Sequence, residues 1–179
     1  MGAEGEIWFL DLATQCGIAE GIPGAKPRLY TARFAREFDE SEDVFGRATL
    51  WIAERLAVSA PQAVYIEAAL GAGAAWGHTN AKTSERLIGL WAAIAGVVRA
   101  RGIPCHRANV KTIRKFFVGH GNLPSDKAKR EVMRVCRCLG WEPNNYDEAD
   151  AAAGWAYATS LHDNGLIEPR AHWTLRESD

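Results

Sequence analysis

Four acidic residues stand where a folded chain tolerates negative charge poorly. Asp11 closes the apolar run Ile7-Trp8-Phe9-Leu10, and Glu67 closes a second, Ala63-Val64-Tyr65-Ile66. Asp147 and Asp150 open an alanine-rich stretch that continues Ala151-Ala152-Ala153-Gly154-Trp155. A carboxylate beside a buried strand is costly unless it is paired or binds a cation. Carboxylates supplied by two strand ends and one helix face therefore point to a divalent-metal site.

Asp147 and Asp150 are three residues apart, so a helix projects both from one face, while Glu148 and Ala149 point elsewhere. Acids in a first turn also complement the helix dipole, an ordinary structural role open to either residue alone. If Asp11 and Glu67 lie on neighbouring strands, the four carboxylates repel one another and their ionisations spread apart. Two Mg2+ or Mn2+ ions about 4 Å apart would relieve that repulsion and form the clamp used for in-line phosphoryl displacement. Oxygen-only ligands favour such hard ions over zinc. The chemistry on offer is that of a metal-dependent nuclease.

The chain of 179 residues has a net charge of −1, unevenly spread. Residues 99–137 hold eleven Lys or Arg against Asp126 and Glu131, a local +9 that leaves −10 for the remainder. A basic segment to hold a phosphate backbone, beside an acidic cluster to hold metal, is the layout a phosphodiester-cutting enzyme needs. Solvated helix faces are the ordinary alternative. With 47% hydrophobic residues and seven tryptophans the chain can bury a real core, which argues against disorder. The longest uncharged apolar stretch, residues 87–98 between Arg86 and Arg99, is too short to span a bilayer, so no membrane association is expected. Being apolar around most of its circumference, it predicts burial against a second subunit in a two-fold homodimer, or complete burial within one domain. The N-terminus lacks a basic segment followed by a hydrophobic one. Cys16, Cys105, Cys136 and Cys138 form no C-x-x-C pair and have no histidine at zinc-ligand spacing. They read as reduced, mostly buried thiols of a cytoplasmic protein.

Residues 6–12 read as a strand apolar on both faces, and so central in a sheet. Residues 13–17 form a turn, residues 18–22 an antiparallel return, and residues 28–34 a third strand after a Pro-rich loop. A helix opens at Ser41-Glu42-Asp43 with an oxygen cap and puts Val44, Ala48, Trp51, Ile52 and Leu56 on one face. A strand over 61–68, a small-residue loop over 71–77, a helix over 79–101 and a strand over 104–108 follow. A basic helix over 110–117 breaks at Gly119-His120-Gly121-Asn122. Pro124-Ser125-Asp126 opens another that reaches Leu139, and an acidic helix over 146–161 closes the domain. The order βββαβαβα with terminal helices predicts an α/β layered fold on a mixed sheet.

Phe9-Leu10-Asp11-Leu12-Ala13-Thr14-Gln15-Cys16-Gly17-Ile18-Ala19 resembles the first motif of RuvC-like Holliday junction resolvases, in the shortened form of phage and prophage members. Tyr65-Ile66-Glu67 is similar to their second motif, and Asp147-Glu148-Ala149-Asp150-Ala151-Ala152-Ala153 to their closing D-x-x-D-A-x-A pattern. Val110-Lys111, Val118-Gly119-His120-Gly121 and Lys127 resemble the family's basic V-K, V-x-G and downstream lysine positions. The likeness covers roughly residues 6–160 in order. It implies a ribonuclease H-like three-layer fold with a mixed five-stranded sheet flanked by helices, so that residues 1–164 are expected to form the nuclease domain; residues 165–179 read from the sequence as a C-terminal tail. It further implies a homodimer that nicks two strands symmetrically at a four-way DNA junction. Asp11, Glu67, Asp147 and Asp150 would then be the catalytic carboxylates holding two Mg2+ or Mn2+ ions per active site. Lys111 and Lys127 would hold the scissile phosphate and its neighbours. Lys111 lies further from Gly119 than the family's usual spacing, so Arg114 or Lys115 is an alternative occupant of that basic position. The family's junction-wedging aromatic follows the second acid, where Trp76 is the candidate here.

Other groups fall around this centre. Thr14, three residues after Asp11, offers a hydroxyl and local amides to a phosphate, or simply caps its turn. Trp76 stacks on an unpaired base or anchors the core. His78, Asn80, Lys82 and Arg86 line the same groove or begin a solvated helix. Lys127, Lys129 and Arg130 follow a proline-led helix start suited to phosphate. His120 is a proton-shuttle candidate, although a lone loop histidine usually is not one. The expected activity is structure-selective cleavage of branched DNA. Its rivals are a related nuclease acting on flap, branched or RNA–DNA hybrid substrates, a non-catalytic junction-binding module, and a metal-independent interaction protein whose acids cap helices.

Overall fold

In the computed structural model, which describes residues 5–68 and 81–162, the elements follow the order β1 (Ile7–Asp11), β2 (Gln15–Gly21), β3 (Arg28–Arg33), α1 (Ser41–Val58), β4 (Ala63–Glu67), α2 (Ala81–Ala100), β5 (Cys105–Ala108), α3 (Val110–Val118), α4 (Ser125–Cys138) and α5 (Tyr146–Ser160). The expected 165–179 tail, the 71–77 loop with Trp76, and His78 and Asn80 lie outside the described residues, as does the side chain of Lys82.

The five strands form one mixed sheet in the order β3-β2-β1-β4-β5. β1 pairs antiparallel with β2, and β2 with β3, while β1, β4 and β5 run parallel. β1 is central, and its apolar run is buried on both faces because helices cover both. Trp8, Leu10, Val64 and Ile66 enter one core with Val44, Ala48, Ile52, Leu90 and Ile94 from α1 and α2. Ile7, Phe9, Ala63 and Tyr65 enter the other with Ile113, Val132, Ala152 and Trp155 from α3, α4 and α5. Strand alternation thus sorts two cores from one sheet.

Several local expectations are corrected. The 13–17 turn is shorter: β2 already begins at Gln15, and Gly17 pairs with Asp11. Ser41 does not cap α1. Glu40 is the N-cap, its amide donating to Asp43 Oδ2 at 3.1 Å, and the Ser41 hydroxyl instead accepts from Arg86 Nε at 3.3 Å. Trp51 is only half-buried, meeting Phe34 edge-on at 5.4 Å. Cys16 and Cys136 are buried, but Cys105 is half-buried and Cys138 exposed.

α2 buries Leu90, Ile94, Ala95 and Val98 within the chain, while Ile88, Ala92 and Gly96 face outward. Its close approach to α1 needs Gly89, where a β-carbon would meet the Phe45 ring at 2.1 Å. Among the described residues no helix is long and apolar enough to cross a membrane.

Glu20, one residue of a strand by its sequence, is the most deeply buried acid among the described residues, at 2% exposure. It accepts from Arg28 and Tyr30 of β3 and from Arg55 Nη2 of α1 at 2.9 and 3.1 Å. A buried carboxylate is tolerable when charged partners surround it in this way, and the cluster ties the β2–β3 edge to α1.

Candidate active site

Asp11 and Glu67 follow Leu10 and Ile66, which are direct partners in the parallel β1–β4 ladder. Both acids therefore sit at the same, C-terminal edge of the sheet. Leu10 and Ile66 point toward α1 and α2, so the alternation sends Asp11 and Glu67 to the opposite face, where α5 packs.

Helix α5 is drawn onto that face at three points. Gly17, opposite Asp11 in β2, leaves room for the first turn: a β-carbon there would stand 2.0 Å from the Asp147 carbonyl oxygen. Further along, Gly154 sits on the Phe9 ring, where a β-carbon would approach to 2.2 Å. The buried Trp155 indole donates to the Ile7 carbonyl at 3.0 Å. The start of the helix is fixed separately. Asn145 caps it by accepting from Glu148 N at 2.9 Å. The buried Glu148 carboxylate accepts from Thr31 Oγ1 at 3.1 Å, from Asn144 N at 2.8 Å and Asn144 Nδ2 at 3.0 Å. Glu148 points away from Asp147 and Asp150, as helix geometry requires, and latches α5 to β3.

The carboxylates feel one another strongly. Asp11 has its pKa raised well above the ordinary carboxylate range, first by burial, then by the charges of Glu67 and Asp150, by a hydrogen bond with Glu67, and by Asp147. Glu67 is raised by burial, an effect opposed by its hydrogen bond with Asp11 and by the charge of Arg114. Asp150 is pushed up to about 6, again by burial first, with Glu67 and Asp147 adding and Arg114 and Lys129 opposing. Like carboxylates this close share protons when no stronger positive charge is at hand. The two neighbouring thiols register the same field: Cys16 is raised by burial and by Asp11, and Cys136 is pushed up to about 12 by burial and by Asp150.

The structure places Asp11, Glu67, Asp147 and Asp150 within reach of one another's charge, with Arg114 acting on Glu67 and Asp150 and Lys129 on Asp150. Among the described residues no group of three or more His, Cys, Asp or Glu is drawn into a ligand set for a metal ion. The coupling runs through charge and the Asp11–Glu67 hydrogen bond. The donor chemistry fits a hard divalent cation: oxygen only, with crowded negative charge that such an ion would offset.

The other candidates separate into two groups. Of Lys111, Arg114 and Lys115, Arg114 is the one whose charge reaches Glu67 and Asp150, and its Nε is buried without a hydrogen-bond partner among the described residues. Lys111 and Lys115 are exposed and line a groove of about 690 Å3 with Gly119, His120 and Asn122. Asn109 caps α3 there, accepting from Lys111 N at 2.8 Å, and Gly121 seats the loop, since a β-carbon would stand 2.8 Å from the Lys111 carbonyl oxygen. Lys127 is exposed in the first turn of α4. Lys129 Nζ lies 6.0 Å from the Tyr146 ring. Thr14 is half-buried between β1 and β2, and its carbonyl accepts from Phe34 N at 2.8 Å, joining the β3 end to the site.

Sequence reasoning missed Gln15, whose Nε2 donates to Asp147 Oδ2 at 2.8 Å. The sequence puts it within a turn, whereas its position at the start of β2, two residues before Gly17, brings it beside the first turn of α5.

No protein-family model and no curated protein matches this chain by sequence. Its fold does match solved structures. Thermus thermophilus RuvC superposes with a TM-score of 0.65 at 18% identity, over 88% of this chain and 95% of that one. T. thermophilus RuvC in complex with Holliday junction substrate gives 0.67 at 19% identity, over 88% and 94%. A yeast mitochondrial Holliday junction resolvase gives 0.53 at 13% identity, over 89% and 81%. The chain has a RuvC-like fold: a mixed five-stranded sheet with helices on both faces.

Proposed function

We propose that this protein is a divalent-metal-dependent endonuclease that resolves four-way DNA junctions by paired symmetric nicks, acting as a homodimer. The observation that carries this reading is the mutual electrostatic coupling of Asp11, Glu67 and Asp150 at one sheet edge, with Asp147 beside them and Arg114 and Lys129 opposed. The fold match to a RuvC bound to junction substrate supports it.

Asp11, Glu67, Asp147 and Asp150 would hold two Mg2+ or Mn2+ ions. Ions held there would polarise a phosphate and make a bound water more acidic, and so a better nucleophile. The protein's own groups do the rest. Gln15 holds the Asp147 carboxylate in one orientation through its Nε2. Glu148 fixes the helix that carries Asp147 and Asp150. Arg114 lowers the cost of ionising Glu67 and Asp150, Lys129 that of Asp150, and both cations favour an approaching anionic phosphate over a neutral group. The groove with Lys111, Lys115 and His120 offers backbone contacts to the strand beyond the site. The exposed Ile88, Ala92 and Gly96 stripe of α2 is the surface proposed for the second subunit.

A labelled four-way junction, incubated with and without Mg2+ or Mn2+, tests this. Paired symmetric nicks that need the metal are expected, exceeding cleavage of flap and RNA–DNA hybrid substrates. Asp11→Asn and Asp150→Asn should keep junction binding and lose cleavage. Preferential cutting of flap or hybrid would replace the resolvase reading, and tight binding without any nicking would make the chain a binding module.

A further inference from the structure

The outer stripe of α4 is basic and lies apart from the carboxylates. Arg130, Arg134 and Arg137 are spaced by four and three residues, so they share one helix face. With Asn144, Asn145 and Tyr146 they line a groove of about 650 Å3 between α4 and the start of α5. Arg134 forks onto Glu131 through Nε and Nη2, with Nε at 3.1 and 3.2 Å from the two carboxylate oxygens. Arg130 and Arg137 are exposed and enter no ion pair among the described residues. Like charges at this spacing on a helix disfavour it slightly, so the stripe is a cost to folding that an anion would remove.

The groove's lining ends one residue short of the candidate active site. Tyr146 immediately precedes Asp147, and Lys129, whose ammonium lies 6.0 Å from the Tyr146 ring, also acts on Asp150. From Arg130 to Arg137 the helix rises about 10 Å, close to the axial rise of about three nucleotides of one DNA strand. Guanidinium forks suit phosphate oxygens and carry no demand on base sequence.

We infer that this groove binds the phosphate backbone of the DNA arm flanking the cut position, handed on from Lys129 to Arg130 and Arg137. The inference rests on the nuclease reading and extends its DNA path beyond the basic residues of α3 and the start of α4.

The test uses the full chain and anisotropy of a labelled four-way junction, titrated with KCl in Ca2+. Arg130→Gln with Arg137→Gln should weaken binding at least tenfold near 100 mM salt and flatten the log–log salt dependence by about 2, one unit per lost phosphate contact. The control pair, Lys26→Gln with Arg36→Gln, both exposed and outside the basic 99–137 segment, should leave that slope in place. An unchanged slope in the groove variant, or an equal loss in the control, overturns the groove assignment while leaving a wild type that cuts junctions as a nuclease. A wild type that binds no DNA overturns both readings; one that binds through the groove and never cuts overturns the nuclease alone.

Discussion

Gly17 lies so close to the Asp147 carbonyl that a β-carbon on it would stand 2.0 Å from that oxygen. Because Gly17 is also the ladder partner of Asp11, one missing side chain sets the distance between the central strand and the helix that carries the last two acids. Gly17→Ala must push α5 outward against backbone, which does not yield as a flexible side chain would. Overpacking of this kind costs about 3 kcal/mol, and Asp147 and Asp150 would move together. The expected result is a clearly lower Tm and a loss of junction cleavage exceeding tenfold. Gly46→Ala is the contrast: it lies inside α1 with open space around it, and should stabilise by about 0.5–1 kcal/mol without touching cleavage.

Arg114 opposes the raised pKa of both Glu67 and Asp150, so its removal must raise them further. In Arg114→Ala the acid limb of the pH–cleavage profile should move to higher pH, because the carboxylates stay protonated longer on the way up. Arg114→Lys keeps the charge and should restore most of the limb's position. Rates measured between pH 5 and 9 at fixed Mg2+ decide this, and an unmoved limb in the alanine variant would remove Arg114 from the site.

Much of this was legible in the residues. The apolar runs Ile7–Leu10 and Ala63–Ile66 are buried on both faces, which a run without polar alternation demands, and they deliver Asp11 and Glu67 to the same edge because both strands run parallel. The three-residue spacing of Asp147 and Asp150 likewise fixes their common helix face. What escaped were partnerships made across the chain. Gln15 meets Asp147 over 132 residues of sequence, Glu148 finds Thr31, and Glu20 finds Arg55. No local spacing encodes such pairs; they follow only once β2 and α5 are packed. Ser41 failed as a cap for a different reason, since Asp43 reaches back to the Glu40 amide and lengthens the helix start by a residue.

The raised acids also make stability depend on pH in a definite direction. The folded-state pKa of Asp150, about 6, exceeds the ordinary value of 3.8. Its contribution to folding is thus fully present below about pH 4 and is lost as pH rises through about 6. With a chelator present, Asp150→Asn should raise stability at pH 8 by at most about 3 kcal/mol, that is, Tm by at most roughly 6–12 °C for a chain this size. The gain should vanish near pH 4. Asp11, raised for the same reasons, should behave alike on Asp11→Asn. Adding Mg2+ at pH 8 should stabilise the wild type and do less for either variant. Denaturation scans at the two pH values, with and without the ion, check both signs.

Gln15 offers a separation of geometry from stability. Its amide is half-buried and donates to Asp147 Oδ2 at 2.8 Å, while its backbone stays in the β2–β3 ladder paired with Arg33. Gln15→Glu keeps the shape but replaces the donor with another negative charge beside four existing acids. The Asp147 carboxylate then loses its fixed orientation and faces repulsion of the kind that already holds Asp11 well above its usual pKa. Cleavage should fall by about tenfold or more, and the Mg2+ concentration for half-maximal rate should rise if the extra acid fails to act as a ligand. Gln15→Ala removes the donor without adding charge and should show a smaller loss, with Tm within about 2 °C of wild type because surface-side substitutions away from the core cost little. Equal cleavage in all three proteins would assign the Gln15–Asp147 hydrogen bond to structure alone.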